Sequence, residues 1–178
     1  DDAAAAIYLF ISAAITANVA AIVGDKAVET RMAKIARQVK KAFAAEFIAP
    51  NGRLVYDDQT SYALAIVHDL IPPELLPAAA RYFKATIARA GGRIGTGFIG
   101  TPALLPALLK IGERELAASV FLQEEVPGWL YQVKNGATTI WERWDGWVEG
   151  RGFQDPGMNS FSHYAIGSVG EWIWRTMV

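Results

Sequence analysis

Apolar side chains recur at helical spacing along most of this 178-residue chain, and strand-like alternation is nearly absent. The first segment, Ala4 to Val23, is apolar almost all round and is predicted to form a helix that ends at Gly24. The second, Lys26 to Phe47, carries an apolar stripe with most of its basic residues off that stripe. Further helices are predicted over residues 60–70, 73–90, 101–111, 113–123 and from about 159 to 175.

These helices, about seven in number, come in pairs joined by short turns. Longer irregular segments separate alternate helices, and they hold most of the glycines, tryptophans and isolated charges. Residues 124–136 are predicted to be one such irregular segment. This organisation predicts a single all-α domain over residues 1–178, a helical-hairpin toroid with its long loops gathered at one end.

Composition excludes several classes of function. The formal net charge is −1 and no basic run occurs, so nucleic acid is not an expected partner. The chain has no cysteine, which excludes disulfides, thiolate metal sites and thiol catalysis. No convincing metal-ligand spacing is found, so neither a metal nor another cofactor is expected.

The segment from Ala3 to Val23 has no charged residue and is long enough to span a membrane. Ser12, Thr16 and Asn18 interrupt its apolar surface, and no basic residue precedes it. We therefore expect a helix buried on most sides inside a helical domain, with no membrane as a partner. The lack of a signal-peptide pattern favours a cytoplasmic location.

The segment from Gly136 to Trp147 is the strongest candidate for chemistry. It interleaves three tryptophans with the acidic Glu142 and Asp145 and the basic Arg143. Indole rings stack on the apolar face of a pyranose, and carboxylates bind its hydroxyls or activate an attacking water. The alternative is an aromatic cluster that packs a loop against the domain.

Five short motifs follow one another along nearly the whole chain. They are Asp-Gln-Thr-Ser-Tyr-Ala-Leu at 58–64, Gly-Phe-Ile-Gly-Thr-Pro at 97–102, Gly-Ala-Thr-Thr-Ile-Trp-Glu-Arg-Trp-Asp-Gly at 136–146, Asp-Pro-Gly-Met-Asn-Ser-Phe-Ser-His-Tyr at 155–164 and Gly-Ser-Val-Gly-Glu-Trp at 167–172. In this order and spacing, the chain resembles the α-L-rhamnosidases of glycoside hydrolase family 78.

The resemblance implies an (α/α)6 barrel that hydrolyses terminal α-L-rhamnosyl bonds with inversion, and a rhamnose-containing saccharide or glycoside as the substrate. It implies that Glu142 is the general base and that His163 contacts the sugar. Four neighbours of Glu142 are further candidates for substrate binding: Trp141, Arg143, Trp144 and Asp145. Asp145 is expected either to orient Arg143 or to bind a hydroxyl, whereas His68 belongs to no motif and is expected to be structural.

One departure from the family concerns the general acid. In the family it lies in an Asp-Glu-Arg type of motif upstream of these hairpins, and nothing in residues 1–58 resembles that motif. The chain is therefore interpreted as the C-terminal half of the barrel. Its uncovered side, with Ala4 to Val23, is expected to associate with a second copy or with the missing half. Alternatives are a carbohydrate-binding or assembly module without hydrolysis, and another glycosidase of the same toroid, such as a glucoamylase-like enzyme.

Overall fold

A computed structural model describes residues 2–177 as hairpins of α-helices. Eight α-helices lie within that range: α1 (Asp2–Val23), α2 (Lys26–Phe47), α3 (Gln59–Val67), α4 (Leu76–Arg89), α5 (Thr101–Lys110), α6 (Arg114–Phe121), α7 (Trp129–Lys134) and α8 (Val169–Met177). A 3-10 turn, Ala165–Ser168, leads into α8. Two-residue strands β1 (Trp147–Val148) and β2 (Gly152–Phe153) form a small antiparallel hairpin.

Local signals set the ends of the first helices. Gly24 takes a positive φ of 82° after α1, and the Asp25 side chain accepts a hydrogen bond from the Val28 N–H to cap α2. At α3 the Asp58 carboxylate accepts from both the N–H and the hydroxyl of Ser61. The predicted bounds of these helices are confirmed to within about three residues.

Helix α3 lies at the centre of the core. It packs against α1, α4 and α5, and its residues from Ser61 to Ile66 are all buried. Helix α5 covers it with an apolar surface that includes Leu104 and Leu108, both fully buried. Because α3 and α5 are packed in the core, they fix the positions of the loops at their ends. One of these loops is residues 93–100, which precedes α5.

Two helix predictions near the candidate site are wrong. Residues 129–134 form α7 where an irregular segment was expected, because a six-residue helix is too short to show apolar periodicity. The last helix, α8, begins at Val169 after the 3-10 turn Ala165–Ser168, not near residue 159. The backbones of Ser160 and His163 instead pair with those of Glu142 and Ile140, respectively, which holds this stretch against the Glu142 loop in a non-helical conformation.

Helix α1 is buried on one face only. Its buried residues, such as Ile7, Ala13 and Ala17, face α2 and α3, while Ile15 and Ile22 are 57% and 85% exposed. The expectation of burial on most sides is therefore not met within this chain, because two helices cannot cover a third all round. By length and composition α1 is apolar enough to cross a membrane, a test that core helices and signal sequences also pass.

Candidate active site

Two segments far apart in sequence lie side by side at the candidate site. The Glu142 N–H donates to the Ser160 carbonyl and the His163 N–H donates to the Ile140 carbonyl, both at 2.8 Å. The Ser160 N–H also donates to Oε2 of Glu142 at 2.8 Å. The tertiary structure thus brings the motif of Glu142 next to the motif of His163.

Glu142 lies on the wall of an open cavity of about 210 Å³. Two loops and the 3-10 turn form this cavity, and its lining residues are Gly97, Phe98, Glu142, Arg143, Trp144, Asp145 and Ile166. The cavity combines carboxylates, a guanidinium and aromatic rings, which is the mixture that a sugar site requires.

Arg143 and Asp145 form a bidentate ion pair beside Glu142. Arg143 Nε and Nη2 donate to the two carboxylate oxygens of Asp145 at 3.0 and 3.1 Å, and Arg143 Nη1 lies 3.8 Å from Asp155. The hydrogen bond from Arg143 lowers the pKa of Asp145 below its usual range, although partial burial of the carboxyl opposes the shift. Asp145 is therefore ionised at neutral pH, and its position fits the expected role of orienting Arg143.

Trp144 is fixed between the cavity and the core. Its Nε1 donates to the Thr96 carbonyl at 2.8 Å, and its ring packs edge to face on Trp129 with centroids 5.1 Å apart. The Trp129 Nε1 in turn donates to the Ile166 carbonyl at 2.8 Å. Since both indole N–H groups are used, Trp144 can offer a ligand only its ring surface.

Trp141 lies apart from the Glu142 cavity. It is only 5% exposed, and its ring packs edge to face on Phe161. It lines a separate cavity of about 300 Å³ together with Trp147 and Phe153. A role for Trp141 in sugar binding stays a prediction.

The imidazole of His163 stacks on two aromatic rings. The ring centroids of Phe98 and Tyr164 lie 5.2 and 5.0 Å from that of His163, with interplanar angles of 22° and 20°. Nδ1 of His163 accepts a hydrogen bond from the Ala165 N–H at 3.3 Å, which assigns the ring proton to Nε2 in the neutral form. Phe98 lines the Glu142 cavity, so His163 stacks on one of the lining residues of that cavity.

Gln132 contacts the segment that carries Glu142, and the sequence did not reveal this contact. It lies on α7, is 2% exposed, and its side-chain amide bonds to the backbone of residues 141 and 143. A lone glutamine in an unrecognised helix gives no sequence signal. His68, in contrast, lies at the end of α3 beside Lys110, where burial and the lysine charge lower its pKa.

The carboxylates that line the Glu142 cavity within residues 2–177 are Glu142 itself and Asp145. Asp145 cannot supply a proton at neutral pH, because its pair with Arg143 keeps it ionised. The described part of the chain therefore presents a candidate base in this cavity without a matching acid.

Comparison with known proteins identifies the family. A family model described as the bacterial α-L-rhamnosidase 6 hairpin glycosidase domain matches residues 1–177. An α-L-rhamnosidase of Streptomyces avermitilis is 39% identical over 176 residues, which is 99% of this chain and 17% of the relative. An α-L-rhamnosidase of Formosa agariphila is 38% identical over 166 residues, which is 92% of this chain and 18% of the relative. The chain thus spans less than a fifth of the length of either relative.

Solved structures agree with this result. The crystal structure of the Streptomyces avermitilis α-L-rhamnosidase complexed with L-rhamnose superposes on 97% of this chain and 17% of its own length, with a TM-score of 0.92 and 38% identity. That of the native α-L-rhamnosidase from Aspergillus terreus superposes on 96% of this chain and 20% of its own length, with a TM-score of 0.89 and 36% identity. These matches confirm the predicted helical-hairpin fold. The chain belongs to the bacterial α-L-rhamnosidase six-hairpin glycosidase family.

Proposed function

We propose that this chain supplies the general base and part of the sugar site of an enzyme that hydrolyses terminal α-L-rhamnosyl bonds with inversion. Glu142 takes the proton of the attacking water. His163 donates from Nε2 to a sugar hydroxyl, and the Trp144 ring packs on the sugar. Asp145 orients Arg143 or binds a sugar hydroxyl, and Arg143 contributes to substrate binding.

The observation that carries this proposal is the setting of the Glu142 carboxylate. One oxygen, Oε2, accepts the Ser160 N–H, while Oε1 has no hydrogen-bond partner within residues 2–177. A base in an inverting glycosidase needs this combination, because it must be held in place and still have an oxygen available to water.

We further propose that the chain is the C-terminal half of an (α/α)6 barrel and that the general acid comes from the rest of the protein. An inverting mechanism places its two carboxyl groups about 6.5–9.5 Å apart, with the acid protonated. Asp145 does not meet the second condition, because Arg143 lowers its pKa. The comparisons give no support to the alternative of a module without hydrolytic activity.

The test is the stereochemistry of hydrolysis by the complete protein. With an aryl α-L-rhamnoside as substrate, proton NMR at early times is expected to show β-L-rhamnose before mutarotation. An α-anomer as the first product would contradict inversion. Faster turnover of the matched α-glucoside would instead favour a glucoamylase-like specificity.

A further inference from the structure

Helix α7 holds the loop that carries Glu142 through three of its six side chains. The Trp129 ring packs on Trp144. The Tyr131 hydroxyl donates to the Trp147 carbonyl at 3.4 Å and accepts from the Glu149 N–H at 3.2 Å. The third side chain is Gln132, and its contacts lie closest in sequence to Glu142.

The amide of Gln132 bonds to the backbone on both sides of Glu142. Its Oε1 accepts the Trp141 N–H at 3.3 Å, and its Nε2 donates to the Arg143 carbonyl at 3.5 Å. The Gln132 carbonyl also accepts the Ala137 N–H at 3.0 Å, near the start of the same loop. At 2% exposure, water cannot readily replace these partners.

We propose that Gln132 is a positioning residue of the active site, which fixes the backbone before and after Glu142 and so directs its carboxylate. This proposal rests on the proposed role of Glu142 as the base. The Ser160 N–H holds the carboxylate itself, whereas Gln132 holds the peptide units from which the side chain extends. The Glu142 N–H also donates to the Ser160 carbonyl, and Gln132 adds hydrogen bonds to the peptide units on either side of Glu142.

The geometry specifies an amide at position 132. One end must accept from an N–H and the other must donate to a carbonyl, and a side-chain amide offers both groups at the right separation. A carboxylate has no donor for the Arg143 carbonyl. A protonated carboxylic acid has one donor and one acceptor, so it can restore both hydrogen bonds.

The experiment compares Gln132→Glu with the wild type in the complete protein, over a range of pH. Near pH 7 we expect kcat on an aryl α-L-rhamnoside to fall about 10- to 100-fold, because small displacements of a reacting group are costly in rate. The affinity for L-rhamnose should change less than about 2-fold. As pH falls, the ratio of variant to wild-type kcat should rise, because a buried carboxyl takes up its proton above the usual range.

Asn135→Asp is the matched control. Asn135 ends the same helix, and its side chain donates to the Tyr131 carbonyl rather than to the Glu142 loop. It introduces the same amide-to-acid change and should leave kcat within about 2-fold of the wild type. A second variant, Gln132→Met, removes both hydrogen bonds without adding charge, and it should show the loss of kcat without recovery at low pH.

The outcomes separate this proposal from the assignment of the base. A wild-type kcat in Gln132→Glu at every pH, or in Gln132→Met, would overturn the positioning role. The Glu142→Gln variant tests the assignment of the base independently of this result. A marked loss of rhamnose affinity and of melting temperature alongside the loss of kcat, in both variants, would also overturn the positioning role. Gln132 would then be a general structural residue.

Discussion

Glu142 and Ser160 hold each other through a reciprocal pair of hydrogen bonds. The Glu142 N–H donates to the Ser160 carbonyl at 2.8 Å, and the Ser160 N–H donates to Oε2 of Glu142 at 2.8 Å. The same two residues therefore align the backbones of two loops and orient one carboxylate. This pair explains how an acidic side chain in an irregular loop keeps a defined direction.

Replacing Glu142 by glutamine should remove activity and spare binding. In the complete protein we expect kcat for Glu142→Gln to fall by about two to four orders of magnitude, because the amide cannot accept the proton of water. The carbonyl oxygen of the new side chain can still accept from Ser160, so L-rhamnose affinity measured by calorimetry should be retained. Glu149→Gln, an exposed acid outside the cavity, is the control. Near-normal turnover by Glu142→Gln would show that Glu142 is not the general base.

His163→Ala should weaken sugar binding more than it unfolds the protein. The loss of one polar sugar contact costs about 0.5–1.5 kcal/mol, or roughly a 2- to 12-fold rise in the rhamnose Kd. His68→Ala, far from the motif and half-buried, should leave Kd unchanged. A large drop in melting temperature with unchanged affinity would show that His163 is structural.

Asp57 should make stability dependent on pH in the acid range. It accepts hydrogen bonds from Arg53 at 2.8 Å, Arg89 at 2.9 Å and the Tyr62 hydroxyl at 3.1 Å. Burial by itself would raise the pKa of Asp57, but the hydrogen bonds from Arg53 and Tyr62 and the charge of Arg89 bring it below its usual value. Burial also raises the pKa of Tyr62 to about 12, so this donor stays protonated.

Because the pKa of Asp57 is lower in the folded state, its contribution is present above the unfolded value of about 3.9 and is lost as pH falls through the folded value. Asp57→Asn should therefore cost about 1–2 kcal/mol at pH 7, a figure reduced because both arginines are half exposed. The difference from the wild type in thermal melts should shrink below about pH 4. Asp69→Asn, whose side chain is 74% exposed, should change little at any pH. If the loss of stability in Asp57→Asn stayed the same in strong acid, the proposed link between the protonation of Asp57 and folding stability would be contradicted.

Two glycines of one loop should respond differently to alanine. A Cβ at Gly100 would overlap the side chain of Thr60, whereas a Cβ at Gly97 meets no atom within 4 Å. Neither residue has a positive φ, and Gly100 is the N-cap residue of α5, so the contrast reports packing against Thr60 together with the poorer capping by alanine. Gly100→Ala should cost about 1–3 kcal/mol and lower the melting temperature, while Gly97→Ala should stay within about 0.5 kcal/mol. Equal melting temperatures would show that Thr60 moves aside without cost.

The 178-residue segment expressed by itself should self-associate. The outer face of α1 exposes Leu9, Ile15, Val19 and Ile22. Burial of apolar surface gains about 25 cal/mol of free energy per Å², so burying a face on the order of 1,000 Å² strongly favours association. Light scattering should report a dimer or a larger species. Ile15→Lys should shift the equilibrium toward the monomer. Lys40→Glu, on the exposed side of α2, is the control and should leave the oligomeric state unchanged. A dilute, stable monomer of the wild-type segment would contradict the prediction.

Several features of this protein follow from the sequence by itself. The end of α1 and the start of α2 were predictable because Gly24 and Asp25 act on the adjacent backbone, and a cap operates over three or four residues. The all-α class followed from apolar periodicity. The candidate role of Glu142 came from the resemblance to a known family, which the order and spacing of short motifs carry.

Other features depend on contacts between distant residues. The last helix starts late because residues 160 and 163 pair with 142 and 140, and no local signal announces that pairing. Trp141 and Trp144 are both predicted sugar platforms, yet one packs on Phe161 and the other lines the Glu142 cavity. In a loop without helical or strand periodicity, the side to which each ring points is set by its long-range partners. For the same reason Gln132, on a helix of one and a half turns, acquires its place beside Glu142 only when the chain folds.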